Sequence, residues 1–180
     1  LDNATEKLLH PFNLLAGFGQ ILLGGTNGDK ELLKKGINNM EEFLKIKDFP
    51  WIRIFIPYGY AMLHMIENNY YEAINLFEEL LITNVDMRSE IVSQITKCHN
   101  KNKDYQSAIK VAIGELEKSP YHSKIILELS KSYIAENETQ KAKENLTKLL
   151  NIWENADEEY IYFQKAKKLW KGINTEKELA

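Results

Sequence analysis

At 180 residues the chain is long enough to form one domain with a sizeable core. Its formal net charge of −3 gives no general attraction to nucleic acid or to an acidic membrane surface. A single cysteine, Cys98, excludes an internal disulfide framework and any zinc cluster built on cysteines. Five of the nine glycines (Gly17, Gly19, Gly24, Gly25 and Gly28) fall in one short stretch, so the remainder is almost free of helix breakers and reads as all-α. No apolar run reaches the ~18 residues a membrane-spanning helix needs, so no membrane insertion is expected. Leu1 to His10 lack the charged start and apolar core of a signal peptide, and the absence of an initiator Met points to a trimmed chain. The composition is that of a soluble protein. It leaves the compartment open, with the cytoplasm favoured over the periplasm.

The first clear helix begins near Phe12, with Leu15, Phe18, Gly19 and Leu22 on one face. Gly24-Gly25-Thr26-Asn27-Gly28 is expected to stop it, and Asp29 to cap the next helix. That helix, about Lys30 to Ile46, turns Leu33, Gly36, Ile37, Met40 and Phe43 or Leu44 inward. Gly36 in its interior costs about 1 kcal/mol against Ala, a cost that makes sense where another helix crosses closely. Lys45 to Pro50 is a connector. Trp51 to Ile56 alternates like a short strand but has no partner strand, so a helix from Ile52 or Ile54 to Glu67 is expected, bent near Pro57.

Asn68-Asn69 ends that helix with a left-handed cap, and Tyr71 to Leu81 forms its mate, burying Ala73, Ile74, Phe77 and Leu80. Val85-Asp86 leads into helices over Arg88 to Asn100 and over Asp104 or Tyr105 to Lys118, closed by Pro120. Ser123 to Glu136 and Thr139 to Trp153 form a further pair. A last helix, about Asp157 to Lys171, carries Tyr160, Phe163, Ala166 and Trp170, and Gly172 to Ala180 reads as a frayed tail.

One stretch says the same thing twice. Val92, Ile95, His99, Ala108, Ala112 and Pro120 are followed 34 residues later by Ile126, Leu129, Tyr133, Ala142, Leu146 and Glu154. Tyr160 and Phe163 continue the series after Ile126 and Leu129. A fixed period with two apolar helical stripes marks a stacked helix-turn-helix repeat.

These residues resemble the tetratricopeptide repeat family. The match is good in Ile126-Leu129-Tyr133-Ala142-Leu146 and in Val92-Ile95-His99-Ala108-Pro120, where the second helix starts Asp104-Tyr105-Gln106-Ser107-Ala108-Ile109. It is fair in Tyr60-Ala61-His64-Ala73-Phe77 and weaker in Leu15-Phe18-Gly19-Leu22 with Gly36 and Met40, where the turn is five residues longer. Leu149 to Trp170 looks like the end of repeat domains attached to bacterial signalling and envelope proteins. The resemblance implies an all-α, right-handed α-α superhelix: a TPR-like solenoid of about four helix pairs plus a C-terminal capping helix. It makes 1–180 a single domain, with pairs at 12–46, 52–82, 88–119 and 123–153 and the cap at 157–171. A small residue early in each second helix lets it approach the first, the role assigned to Gly36, Ala73, Ala108 and Ala142.

No constellation carries chemistry, and no enzyme is expected. His64 and His99 occupy the register of Tyr133, the half-buried aromatic slot, which explains both without a metal. His10 and His122 lie outside the helices and share no ligand spacing with them. Cys98 and His99 are adjacent on one helix and do not face each other, so the thiol reads as structural. The glycine stretch follows no strand and lacks the Gly-Lys-Ser/Thr of a nucleotide loop. The glycosylation-type triplets at Asn3, Asn137 and Asn145 are expected by chance in so Asn-rich a chain. No cofactor is expected.

What the resemblance implies for function is a non-enzymatic interaction or scaffold module. In the family, the first helices of successive pairs line a concave groove that takes a peptide or a partner protein. The candidate groove residues here are Phe55, Tyr58, Met62 and Met65, then Ser93, Lys97 and Lys101, then Lys124, Leu127 and Lys131. The face is apolar at one end and basic at the other, suited to apolar and carboxylate groups respectively. The family's carboxylate clamp is not reproduced: the matching places hold Tyr58, Met62, Lys97, Lys124 and Glu128, of which Lys97 and Lys124 alone fit the role. Self-association into a homodimer through the apolar end is the alternative, as is a regulatory repeat region of a larger bacterial protein.

Overall fold

The computed structural model describes residues 3–46, 49–50, 52–83 and 87–175. Among these, all regular structure is helical: α1 (Asn3–Asn27), α2 (Lys30–Ile46), a 3-10 turn (Ile52–Ile54), α3 (Phe55–Ile66), α4 (Tyr70–Thr83), α5 (Arg88–Lys101), α6 (Tyr105–Leu116), α7 (Ser123–Ala135), α8 (Thr139–Ile152) and α9 (Ile161–Thr175). The fold is all-α, built of antiparallel helix pairs. Helices α1 to α4 form one compact unit and α5 to α9 another.

Four tight turns close the pairs, and they share one geometry. Gly28, Asn68, Lys103 and Asn137 each take the left-handed conformation, with φ of 73°, 63°, 62° and 61°. The next residue in each case donates its N–H back across the turn: Asp29 to Gly24 O (2.9 Å), Asn69 to His64 O (2.8 Å), Asp104 to His99 O (2.9 Å) and Glu138 to Tyr133 O (2.8 Å). This bond satisfies a carbonyl the ending helix leaves open. The same residue then opens the following helix, its carbonyl accepting from Leu33, Ala73, Ala108 and Ala142. Asp29 and Asp104 add side-chain caps, accepting from Leu32 N (2.9 Å) and Ser107 N (3.2 Å).

Because the turn is constant, it fixes which residues face each other across every pair. His64 faces Ala73, His99 faces Ala108 and Tyr133 faces Ala142: bulky on the first helix, small on the second. In the first pair the order is reversed. Gly24 occupies the bulky slot and Leu33 the small one, and a Cβ on Gly24 would lie 2.6 Å from Leu33 N. Gly36, expected to fill the small slot, stands one turn further along. It still marks a close crossing, since a Cβ there would lie 2.8 Å from both Gly17 O and Ile21 N.

This reversal also corrects the reading of α1. The helix begins at Asn3 rather than near Phe12, and it continues through Gly24 and Gly25 to Asn27. Gly24 and Gly25 do not stop it; they make room for Leu33 and for the Met62 side chain. The buried face carries Gly17, Ile21, Gly24 and Gly25, whereas Leu15 and Leu22 are 67% and 39% exposed. Apolar spacing alone picked the face with the larger side chains. The close approach of α2 selects the face with the smaller ones.

Pro57 sits in the first turn of α3, preceded by the 3-10 turn, which resolves the ambiguous passage as helix. Residues Trp51, Val85 and Asp86, named in the sequence reading, lie outside the described residues, as does the tail from 176. Helix α9 starts at Ile161 rather than Asp157 and runs past Lys171 to Thr175. Tyr160 stays outside it, its ring edge-on to Trp153 at 5.3 Å.

Candidate partner-binding face

Within the second unit, α5, α7 and α9 are the successive first helices, and polar side chains link them. Lys124 on α7 donates to Glu90 on α5 (2.8 Å) and lies 5.7 Å from the centre of the Tyr162 ring on α9. Asn100 donates to the backbone carbonyl of Glu128 (2.9 Å) and to its carboxylate (3.2 Å), and accepts from the Ser132 hydroxyl (2.6 Å). Lys131 donates to the same Glu128 carboxylate at 2.5 Å. Gln94 donates to Glu90 at 3.0 Å.

Two groups on this face lack a complement. Lys97 makes no hydrogen bond or ion pair among the described residues, and burial pushes its ammonium below the ordinary lysine value, with Glu128 opposing and Lys131 and Lys165 assisting. The buried Oε1 of Gln94, one turn away, accepts no bond. A desolvated ammonium and a desolvated amide oxygen without partners are each costly, and a polar ligand would relieve that cost. Burial also opposes charge on Lys124, but its bond to Glu90 and the charge of that carboxylate lift it above the ordinary value.

The sequence candidates divide. Lys97, Lys124 and Lys131 come together on this face, and Lys101 is exposed at the end of α5. Ser93 is buried and donates to Glu90 O (2.7 Å), and Leu127 is only 1% exposed, so both serve packing instead of lining a surface. In the first unit Tyr58, Met62 and Met65 are buried as well. Tyr58 packs edge-on against Phe77 (5.6 Å), and the half-buried Phe55 packs edge-on against Phe18 (4.7 Å). The apolar end of the candidate groove is therefore largely core.

Sequence reasoning passed over Gln94, Asn100, Tyr162 and Lys165. The signal for the last was present: Lys97, Lys131 and Lys165 recur at 34-residue intervals, one lysine per first helix at the same repeat position. In the first unit the turn register places Met62 and Leu22 there instead.

Cys98 is buried, its thiol pushed up to about 12 chiefly by burial. His64 and His99 occupy the turn slot, with His99 Nδ1 3.2 Å from Asp104 Oδ2. Among the described residues no three His, Cys, Asp or Glu side chains gather as metal ligands, and no helix is long and apolar enough to cross a membrane.

No family model matches the chain. A BBSome complex member BBS4 homolog of Drosophila melanogaster is 34% identical over 59 residues, which is 33% of this chain and 12% of that protein. Among solved structures, the TPR domain of P58(IPK) is similar with a TM-score of 0.53 at 17% identity, over 89% of this chain and 47% of that one. MamA from residue 41 to its end, from Desulfovibrio magneticus RS-1, gives 0.52 at 14% identity over 88% and 96%. The nearly identical TPR-like repeats of a Podosopora anserina kinesin light chain give 0.55 at 16% identity over 92% and 95%. The chain thus spans a small part of the curated relative and about half of the P58(IPK) chain. At such identities the likeness concerns the backbone, and it agrees with the recurring turn and the small-residue slot. The fold of this chain is that of a tetratricopeptide-repeat domain.

Proposed function

We propose that the chain is a non-enzymatic protein-interaction module and that the α5–α7–α9 face of its second unit binds an acidic segment of a partner protein. The lysine column Lys97–Lys131–Lys165 carries this reading, and Lys97 within it is a half-buried cation with no acceptor of its own. Lys101 and Lys124 extend the basic surface, while Glu90 and Glu128 tether Lys124 and Lys131 and orient them. A carboxylate seated against Lys97 would gain a charge-assisted hydrogen bond in a partly desolvated place, where such bonds are strongest.

The test is fluorescence anisotropy with a labelled acidic peptide and its glutamine-substituted analogue. The acidic peptide should bind more tightly, and Lys97→Glu with Lys131→Glu should lower its affinity by at least ~10-fold. Equal binding of both peptides, or no effect of the double variant, would count against this face.

Self-association is a second reading, supported by the exposed Leu15 and Leu22, two turns apart on α1. Light scattering after size exclusion would then show a dimer that Leu15→Glu returns to monomer. A wild-type monomer at high concentration would end that reading.

A further inference from the structure

We propose that the acidic group held by the α5–α7–α9 face is a phosphoserine or phosphothreonine of the partner segment, its phosphate seated among Lys97, Lys131 and Lys165 and a neighbouring backbone N–H donating to Gln94 Oε1. This ligand presupposes that the face is a binding surface, as proposed for the chain's function, and specifies what that surface takes.

Charge counting separates a phosphate from a carboxylate. Lys124 and Lys131 are each bonded to a carboxylate, Glu90 at 2.8 Å and Glu128 at 2.5 Å. Lys97 has no hydrogen bond or ion pair among the described residues, and Lys165 has only the Tyr162 ring, 5.2 Å away. Two ammonium charges on this face are therefore unmatched. Lys97, Lys131 and Lys165 hold one repeat position on α5, α7 and α9, and these helices pack side by side in that order. Burial lowers the Lys97 ammonium's value, Glu128 opposes, and the charges of Lys131 and Lys165 lower it further, so the three cations lie within range of one another. A glutamate brings one negative charge and leaves one of the two free cations unmatched. A phosphate monoester brings about −1.5 to −2 at neutral pH and three acceptor oxygens, enough for both free ammonium groups and a spare N–H of Lys131.

Gln94 identifies the rest of the ligand. It is 8% exposed, its Nε2 donates to Glu90 at 3.0 Å, and its buried Oε1 accepts nothing. It stands three residues before Lys97, on the same face of α5. An amide oxygen so placed takes a hydrogen-bond donor, which a fully ionised phosphate lacks and a peptide backbone supplies at every residue but proline. The backbone of a nucleic acid carries no N–H and spreads single charges along its length, where Glu90 and Glu128 would repel them. A phosphorylated peptide meets both demands with one residue.

The test uses the whole chain and labelled peptides of one sequence that carry serine, glutamate or phosphoserine at the same position. By fluorescence anisotropy the phosphoserine peptide should bind at least ~10-fold more tightly than the glutamate peptide, with the serine peptide weakest. Lys165→Ala changes an exposed side chain and should erase most of that preference while leaving glutamate binding little changed. Gln94→Met, checked for an unchanged far-ultraviolet spectrum, should weaken the phosphopeptide several-fold. Inorganic phosphate and a single-stranded RNA, each added at the peptide's concentration, should fail to displace it. Equal binding of the phosphoserine and glutamate peptides overturns the phosphate assignment and leaves the face a site for acidic segments. Binding of neither overturns both. Indifference to Lys165→Ala or to Gln94→Met overturns the seating, and displacement by free phosphate or RNA overturns the choice of a phosphopeptide.

Discussion

Gly36→Ala sets two effects against each other. In an open helix interior alanine is favoured over glycine by about 1 kcal/mol. At position 36 the new Cβ would fall 2.8 Å from Gly17 O, 2.8 Å from Ile21 N and 2.9 Å from the Gln20 Cβ. Two of these are backbone atoms, so no rotamer change relieves the overlap and α1 must move away from α2. That movement loosens Ile21 and Leu33, both completely buried. Overpacking costs about 1–3 kcal/mol, and three contacts this short put the cost near 3. The net expectation is a loss of about 2 kcal/mol.

Gly19→Ala is the control on the neighbouring helix away from the crossing, because its Cβ would meet nothing within 4 Å. It should gain about 0.5–1 kcal/mol. In thermal melts followed by circular dichroism, a chain of this size shifts by roughly 2–4 °C per kcal/mol. Gly36→Ala should therefore melt several degrees below the wild type and Gly19→Ala a few degrees above it. A Gly36→Ala protein that melts at or above the wild type would refute the packing argument for the first pair.

Ala108→Leu and Ala142→Leu each place a large side chain in the small slot opposite His99 or Tyr133, and urea midpoints should report a loss of about 1–3 kcal/mol for either. Asp104→Ala removes the α6 cap and should cost about 1 kcal/mol at neutral pH. The Asp104 carboxyl is held below its ordinary value, first by the Ser107 side chain, then by the Ser107 N–H and by His99, with burial opposing. A lowered folded-state value means that this stability is present above the ordinary aspartate range and is lost as pH falls through the folded-state value. The gap between wild type and Asp104→Ala should accordingly close in acid, and a gap that persists there would contradict the capping role. Cys98, buried and raised to about 12, should resist a thiol reagent in the native protein near pH 8 and react once the chain is denatured. Rapid native labelling would mean that α5 opens far more readily than its burial implies.

The second unit was legible because its residues obey one rule at every level. The period of 34, the Asn, Asp and Lys turn residues and the alternation of apolar stripes all point to the same helices, and the observed bounds differ from the expected ones by only one or two residues across α5 to α8. Local chemistry suffices there because each turn fixes its own geometry through bonds between near neighbours. The histidines were legible for the same reason: His64 and His99 belong to the turn slot, so their position follows from the repeat.

In the first unit α2 and α4 were legible too, with Leu33, Ile37, Met40, Ala73, Ile74, Phe77 and Leu80 buried as expected, but α1 was not. Leu15, Phe18 and Leu22 make a convincing apolar face, but burial is decided by which face α2 can approach most closely. That depends on the pairing of Gly17, Gly24 and Gly36 with Leu33 and Ile21 across two helices, a three-dimensional complementarity that no single-helix periodicity encodes. The candidate binding face divides along the same line. The recurrence of Lys97, Lys131 and Lys165 is written in the chain. That Tyr58 and Met62 are core, that Lys124 and Lys131 are held by Glu90 and Glu128, and that Lys97 is left without an acceptor depend on which helices stack side by side. The sequence by itself determined the repeat, the helices from α2 to α8 and most of their buried stripes. Tertiary packing decided which face of α1 is buried, that Tyr58 and Met62 are core, and which lysines carboxylates hold, because each depends on contacts between separate helices.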